Sequence, residues 1–193
     1  MDEIRIQDCM PNEYEEWIHA FVVNTGESMR CNDQVTHRAF DVLWRCAEGF
    51  AQRLGWAEVA VITCGDEPEM IRDFCLTSSE GKPERFSFGG GAAIHAGLRM
   101  AIDAVLERAA MCDKAGIQHT VPWVCLISDG SSTDEDDGVM AELLQLRREG
   151  KVRFLYVLAG DAVDIRTLED KEKNGVFEMA DERWLCDAYM DRE

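Results

Sequence analysis

His19-Ala20-Phe21-Val22-Val23-Asn24-Thr25-Gly26-Glu27-Ser28 is an apolar run that breaks abruptly into a polar turn. Continuous apolar character over Ala20–Val23 suits a central strand covered on both faces, because a half-solvated strand would alternate. The break puts short polar side chains at the strand's carboxyl end. In an open parallel sheet, that is where ligands collect.

The same transition recurs outward along the chain. Val59–Thr63 is a second apolar run, closed by the turn Gly65-Asp66-Glu67-Pro68. Trp123–Ile127 is a third, ending at Ser128-Asp129-Gly130, and Phe154–Leu158 a fourth. Met70–Leu76 alternates apolar and polar residues, which predicts a half-solvated strand returning antiparallel at a sheet edge. Val176–Ala180 reads as a weaker strand.

Helical periods fill the intervals. Phe40, Leu43, Ala47, Phe50 and Leu54 recur at spacings of three and four, with Asn32 or Asp33 to cap the start and Gly55 to stop the helix. Ile94, Leu98, Ala101, Val105, Ala109 and Cys112 form a second apolar face, opened by Gly89-Gly90-Gly91 and stopped by Gly116. Val139, Leu143 and Leu146 form a third, stopped by Gly150. Short helices are expected over Ile165–Lys171 and Asp181–Tyr189. Runs of strand and helix in alternation predict an α/β fold with a mostly parallel central sheet of about six strands, one antiparallel edge strand, and helices on both faces.

Bulk properties narrow the function. The chain has 193 residues, 46% hydrophobic and 30% charged, enough for one domain with a full core. We divide it into an N-terminal extension, 1–17, and a domain, 18–193. The formal net charge is −18 and the pI is near 4.5. Such a surface repels phosphate backbones and anionic headgroups, so neither nucleic acid nor membrane is the expected partner. A protein with a basic surface fits better. Met1–Met10 carries acids where a secretory leader needs positive charge and an apolar run, so a cytoplasmic location is expected. The eight cysteines include no C-x-x-C pair. Cys46, Cys64, Cys112 and Cys125 fall on apolar faces and are expected as small core residues.

Three polar loops are expected to meet at the carboxyl end of the sheet: Asn24–Ser28, Gly89–Ala93 and Asp129–Asp134. Together they resemble the von Willebrand factor type A (vWA) domain. There the first strand ends in Asp-x-Ser-x-Ser, a Gly-Gly-Thr begins a later helix, and an apolar strand ends in Asp-Gly. This chain reads Asn24-Thr25-Gly26-Glu27-Ser28, Gly90-Gly91-Ala92 and Asp129-Gly130 in the same order. It is most similar to bacterial intracellular vWA proteins of the tellurium-resistance-cluster type. The resemblance implies a Rossmann-like fold, protein–protein interaction in the bacterial cytosol rather than catalysis, and a metal-ion-dependent adhesion site.

The departures weaken the metal half of that expectation. Asn24 replaces the first aspartate, Gly26 the first serine and Ala92 the threonine. Asn24, Ser28 and Asp129 remain as candidate ligands, one carboxylate and two neutral oxygens. Magnesium prefers octahedral oxygen ligation and releases water reluctantly, so no cofactor is predicted and any Mg2+ binding would be weak. The expected partner-binding rim is Asn24, Thr25, Ser28, Gly91 and Asp129. Asp129 would present negative charge to a basic group or a weakly held ion, or else accept loop amides in a turn. Glu27 and the run Asp134-Glu135-Asp136-Asp137 read as solvated.

Alternatives are Mg2+-dependent adhesion through a residual site, a nucleotide-binding enzyme and a hydrolase. The glycine run can approach a phosphate, yet no G-x-x-x-x-G-K-S/T exists. There is no G-x-S-x-G elbow. His95, near a helix start, reads as an exposed histidine, with a catalytic base as the alternative. Cys31 near a helix start has no assignable partner histidine.

Overall fold

The computed structural model describes residues 15–77, 82–159 and 176–178. β1 (Glu15–Asn24) leads through a 3-10 turn (Glu27–Asn32) into α1 (Asp33–Leu54), then β2 (Gly55–Cys64) and β3 (Pro68–Leu76). α2 (Ile94–Ala115), β4 (Trp123–Ser128), α3 (Val139–Arg148), β5 (Arg153–Leu158) and β6 (Val176–Glu178) complete it. The sheet runs in the order β3-β2-β1-β4-β5-β6, five full strands and the three-residue β6. Every neighbouring pair is parallel except β2 with β3, so the edge strand expected over Met70–Leu76 is where the alternation put it. The expected helices over Ile165–Lys171 and Asp181–Tyr189 lie outside the described residues, as do Cys9 and Cys186.

Strand periodicity divides the core. Along β1, Ile18, Ala20 and Val22 pack with α2 and α3 residues such as Leu98, Ile102 and Leu143. Phe21 and Val23 face the opposite way, toward Phe40, Leu43 and Trp44 of α1. Successive side chains on a strand point to opposite faces, which lets one strand serve two apolar layers. Phe40 stands edge-on to both Phe21 and Phe86, with ring centroids 5.9 and 4.9 Å away. The Phe86 amide donates to His37 Nε2 at 3.0 Å, which ties the segment before the glycine run to α1. Cys46, Cys64, Cys112 and Cys125 are buried, as expected.

Two helix ends differ in their chemistry. Gly116 ends α2 in the left-handed conformation, φ 71°, and the next amide, Ile117, donates to Cys112 O at 2.9 Å. Only glycine adopts that backbone without steric cost, so this stop was readable. The expected Asn32 cap of α1 is corrected: its side chain bonds no amide, because the 3-10 turn already delivers the chain in helical register. Asp33 Oδ1 accepts the Gln34 amide at 2.5 Å instead.

Far from the loop end of β1, two buried carboxylates share one arginine. Arg108 Nε and Nη2 each donate to Glu58 at 2.6 Å, while Nη2 lies 3.6 Å from Glu16. The Cys112 thiol donates to Glu16 Oε2 at 3.1 Å. Burial pushes the Glu58 carboxyl up to about 7, with Glu16 adding to the shift and Arg108 opposing it. A carboxyl raised on folding contributes stability that is full below its unfolded value and lost as pH rises through its folded one. We therefore expect urea-denaturation stability to fall by about 1–3 kcal/mol between about pH 5 and pH 8. Glu58→Gln should flatten that slope, and an unchanged slope would contradict the assignment.

Candidate functional site

The sheet order reverses beside β1: the chain leaves it toward β2 and β3 and returns on its other side as β4. Such a switch point opens a crevice beyond the strand ends. Val23 pairs with Ile127, so Asn24 and Ser128 leave the sheet side by side. The three loops expected to converge do so, and hydrogen bonds join them. Gly89 N–H donates to Thr25 O at 2.9 Å and Glu27 N–H to Gly90 O at 3.1 Å. Ala92 and Thr133 exchange two bonds, Thr133 N–H to Ala92 O at 2.9 Å and Ala92 N–H to Thr133 Oγ1 at 2.8 Å.

Asn24 sits at the centre and is fully buried. Its Oδ1 accepts the Gly26 amide at 2.9 Å, which fixes the orientation of the side chain. The amide nitrogen then faces the β4 loop. It donates to Ser128 Oγ at 3.1 Å, Asp129 Oδ1 at 3.2 Å and Ser131 O at 3.4 Å. Ser128 Oγ and Asp129 Oδ1 also accept the amides of Gly130 and Ser131, at 3.0 and 2.9 Å. On β5, the Tyr156 phenol lies buried beside these residues and is pushed up to about 12, mainly by burial, so it stays protonated.

This geometry revises several sequence expectations. Asn24 was expected to offer a neutral oxygen toward a cation, but that oxygen is turned to Gly26. Asp129 was expected to present charge outward, yet it is 3% exposed and its Oδ1 accepts two N–H groups. The turn reading, in which the carboxylate accepts loop amides, describes it better. The Ser28 side chain is exposed and no hydrogen bond joins it to Asn24 or Asp129 among the described residues. Gly91 N–H donates to Asp66 Oδ1 at 2.6 Å. Thr25 is buried with Asn24. Among the described residues, no three His, Cys, Asp or Glu side chains are grouped as a metal would need.

Space explains one departure from the vWA pattern. A Cβ on Gly26 would lie 2.6 Å from Gly91 O and 2.9 Å from the Ala92 Cβ. The two loops touch backbone to backbone there, leaving no room for a serine.

Sequence reasoning missed Asp66 and Asp134. Asp134 is not merely solvated: Oδ1 and Oδ2 accept the His95 and Ala96 amides at 3.2 and 2.8 Å. It caps α2 from another loop, where free first-turn amides favour a carboxylate. Those bonds, with one from Ser132, hold the Asp134 carboxyl below its usual range against the opposing effect of burial. His95 is correspondingly not an exposed helix residue, because its Nδ1 lies 3.1 Å from Asp134 Oδ1 and 3.3 Å from Ser132 Oγ. Both neighbours meet the same ring nitrogen, so no proton relay passes through the ring from serine to acid. Cys31 is exposed, and its thiol bonds Ser28 O rather than a histidine. Glu27 is exposed and pairs with Arg30 at 2.8 Å.

No family model and no curated protein matches this sequence. Solved structures do. Proximal thread matrix protein 1 from the mussel byssus superposes with a TM-score of 0.60 at 16% identity, over 92% of this chain and 47% of its own. This chain thus spans about half the length of that protein. The SpRpn10 VWA domain gives a TM-score of 0.58 at 9% identity, over 86% of each chain. An aerotolerance-related membrane protein of Bacteroides fragilis gives 0.56 at 11% identity, over 91% of this chain and 96% of its own. Identities this low carry the architecture alone, and that architecture is a vWA-like α/β fold with its loop crevice at the β1/β4 switch point.

Proposed function

We propose that this chain is a vWA-type protein-interaction module of the bacterial cytosol. It works without a metal ion and meets a basic partner through the rim of Asn24, Thr25, Ser28, Gly91 and Asp129. The observation that carries this reading is the Asn24 amide. Its N–H2 group bonds Ser128 and Asp129, where a cation would otherwise draw those oxygens together. Magnesium wants oxygens at about 2.0–2.1 Å in octahedral array. Here one candidate ligand points a nitrogen inward, and neither Gly26 nor Ala92 has a side-chain oxygen. The residues do not fit the ion.

In this reading Asn24 and Asp129 are the floor that positions the loops, and exposed residues such as Ser28 and Ser131 touch the partner. Loops already joined by hydrogen bonds lose little freedom on binding, which favours affinity. Carboxylates flank the rim on both sides, Asp66 and Glu67 after β2 and Asp134–Asp137 after β4, which favours a basic partner and fast encounter. Four buried cysteines outside any disulfide suit a reducing compartment. The arrangement around His95 supports binding over catalysis.

The test is capture of a partner from the native cell extract, with chelator and with magnesium. The partner should be retained equally in both. Ser28→Arg with Ser131→Arg, both exposed positions, should weaken capture by roughly tenfold or more through like-charge repulsion while the melting temperature holds. Loss of the partner in chelator would favour metal-dependent adhesion, and capture indifferent to the two arginines would remove this rim.

A further inference from the structure

Beside the rim, between the ends of β2 and β3 and the segment from Arg85 to Gly89, lies a pocket of about 440 Å³. Thr25, Asp66, Glu67, Glu69, Arg85 and Phe86 contribute to its lining. Two independent observations mark it as a binding site. The first is Thr25. It is 6% exposed, and its backbone is held on both sides, N–H to Cys64 O at 3.0 Å and O from Gly89 N–H at 2.9 Å. Its hydroxyl faces the pocket near Gly65, yet forms no hydrogen bond among the described residues. The side chain is held in place while its hydroxyl stays open to the pocket, so a group entering there can supply the bond it lacks.

The second is charge. Three carboxylates line the pocket against a single basic residue, Arg85, and neither Glu67, Glu69 nor Arg85 forms an ion pair among the described residues. The carboxylates are too dispersed to close on one metal ion. A larger cation with several spread donors suits them, and an arginine guanidinium has five N–H donors in a planar fork. Phe86 and the exposed Ile71 supply an apolar wall for its stem.

We infer that this pocket receives one arginine side chain of the partner protein, with Thr25 Oγ1 accepting a hydrogen bond and Glu67 and Glu69 matching the charge. The inference rests on the rim being the partner-binding face and names the partner's anchoring residue.

The test titrates the full chain with acetyl-Gly-Arg-Gly-amide, followed by amide chemical shifts. The controls are the lysine peptide and the neutral citrulline peptide. Shifts should centre on Thr25, Gly65, Glu69, Ser87 and Gly89, with arginine binding more tightly than lysine, and citrulline weakest. Thr25→Val, and separately Glu67→Gln with Glu69→Gln, should each weaken the arginine peptide several-fold to about tenfold with the melting temperature unchanged. Thr25→Ser should restore it. Equal binding of citrulline, tighter binding of lysine, or indifference to these variants would overturn the assignment. Shifts confined to Asp134–Asp137 would do the same while leaving the rim standing as a basic-partner surface. Loss of capture with the two rim arginines, but none with the pocket variants, would also remove the pocket alone.

Discussion

Asn24→Asp is expected to destabilise the protein by about 3–5 kcal/mol near neutral pH, the scale of a buried charge left uncompensated. The substitution is isosteric, and the oxygen that accepts the Gly26 amide is preserved. What changes is the other side. The group that donates to Ser128 Oγ, Asp129 Oδ1 and Ser131 O becomes an oxygen facing three oxygens, 3.1–3.4 Å away. Two buried carboxylates at that separation cannot both ionise, so one is forced to take up a proton. The pair's raised pKa makes the loss smallest in acid and larger as pH rises. Urea denaturation of both proteins at several pH values measures this directly. Millimolar magnesium should recover part of the loss in Asn24→Asp, because a cation then replaces the missing N–H2 group, and should leave the wild type unmoved. Equal stabilisation of the wild type by magnesium would refute the metal-free reading.

Gly26→Ser is expected to cost about 2–3 kcal/mol by overpacking, although serine is the vWA residue at this position. The backbone there is ordinary, φ −63° and ψ 166°, so conformational strain is not the cause. The obstacle is the Gly91 carbonyl 2.6 Å from the new Cβ, with the Ala92 methyl and Asn24 Oδ1 at 2.9 and 3.1 Å. None of these is the end of a flexible side chain, so the whole glycine loop must move. Amide exchange at Glu27, which donates to Gly90 O, should accelerate with the loss of stability. The same substitution at Gly49 of α1, where nothing lies within 4 Å, is expected to be harmless. A harmless Gly26→Ser would mean that the loops separate more easily than their contacts imply.

The two variants test different halves of one idea. Asn24 supplies inside the protein the attraction that a cation would bring, and Gly26 lets the loops close directly on each other. Restoring one residue should return only weak, millimolar magnesium binding, since neither Gly26 nor Ala92 offers a side-chain oxygen.

The amino-acid sequence alone determined the layers of this protein. Unbroken apolar runs marked the covered strands β1, β2, β4 and β5, and alternation marked the edge strand β3, because strand burial is written at a period of two. Gly116 and Gly150 marked where helices stop, since a left-handed residue has a local signature. The convergence of three polar loops followed from their placement at strand ends and from the vWA resemblance. Only the tertiary structure decided what those loops do to one another. Which way the Asn24 amide faces, that Asp66 holds Gly91, that Asp134 caps a helix it does not belong to, and that Glu16 and Glu58 share Arg108 all depend on partners 25 to 105 residues apart. A hydrogen bond reads donors and distances at the end of folding, not the spacing of residues along the chain, so nothing periodic announces it beforehand.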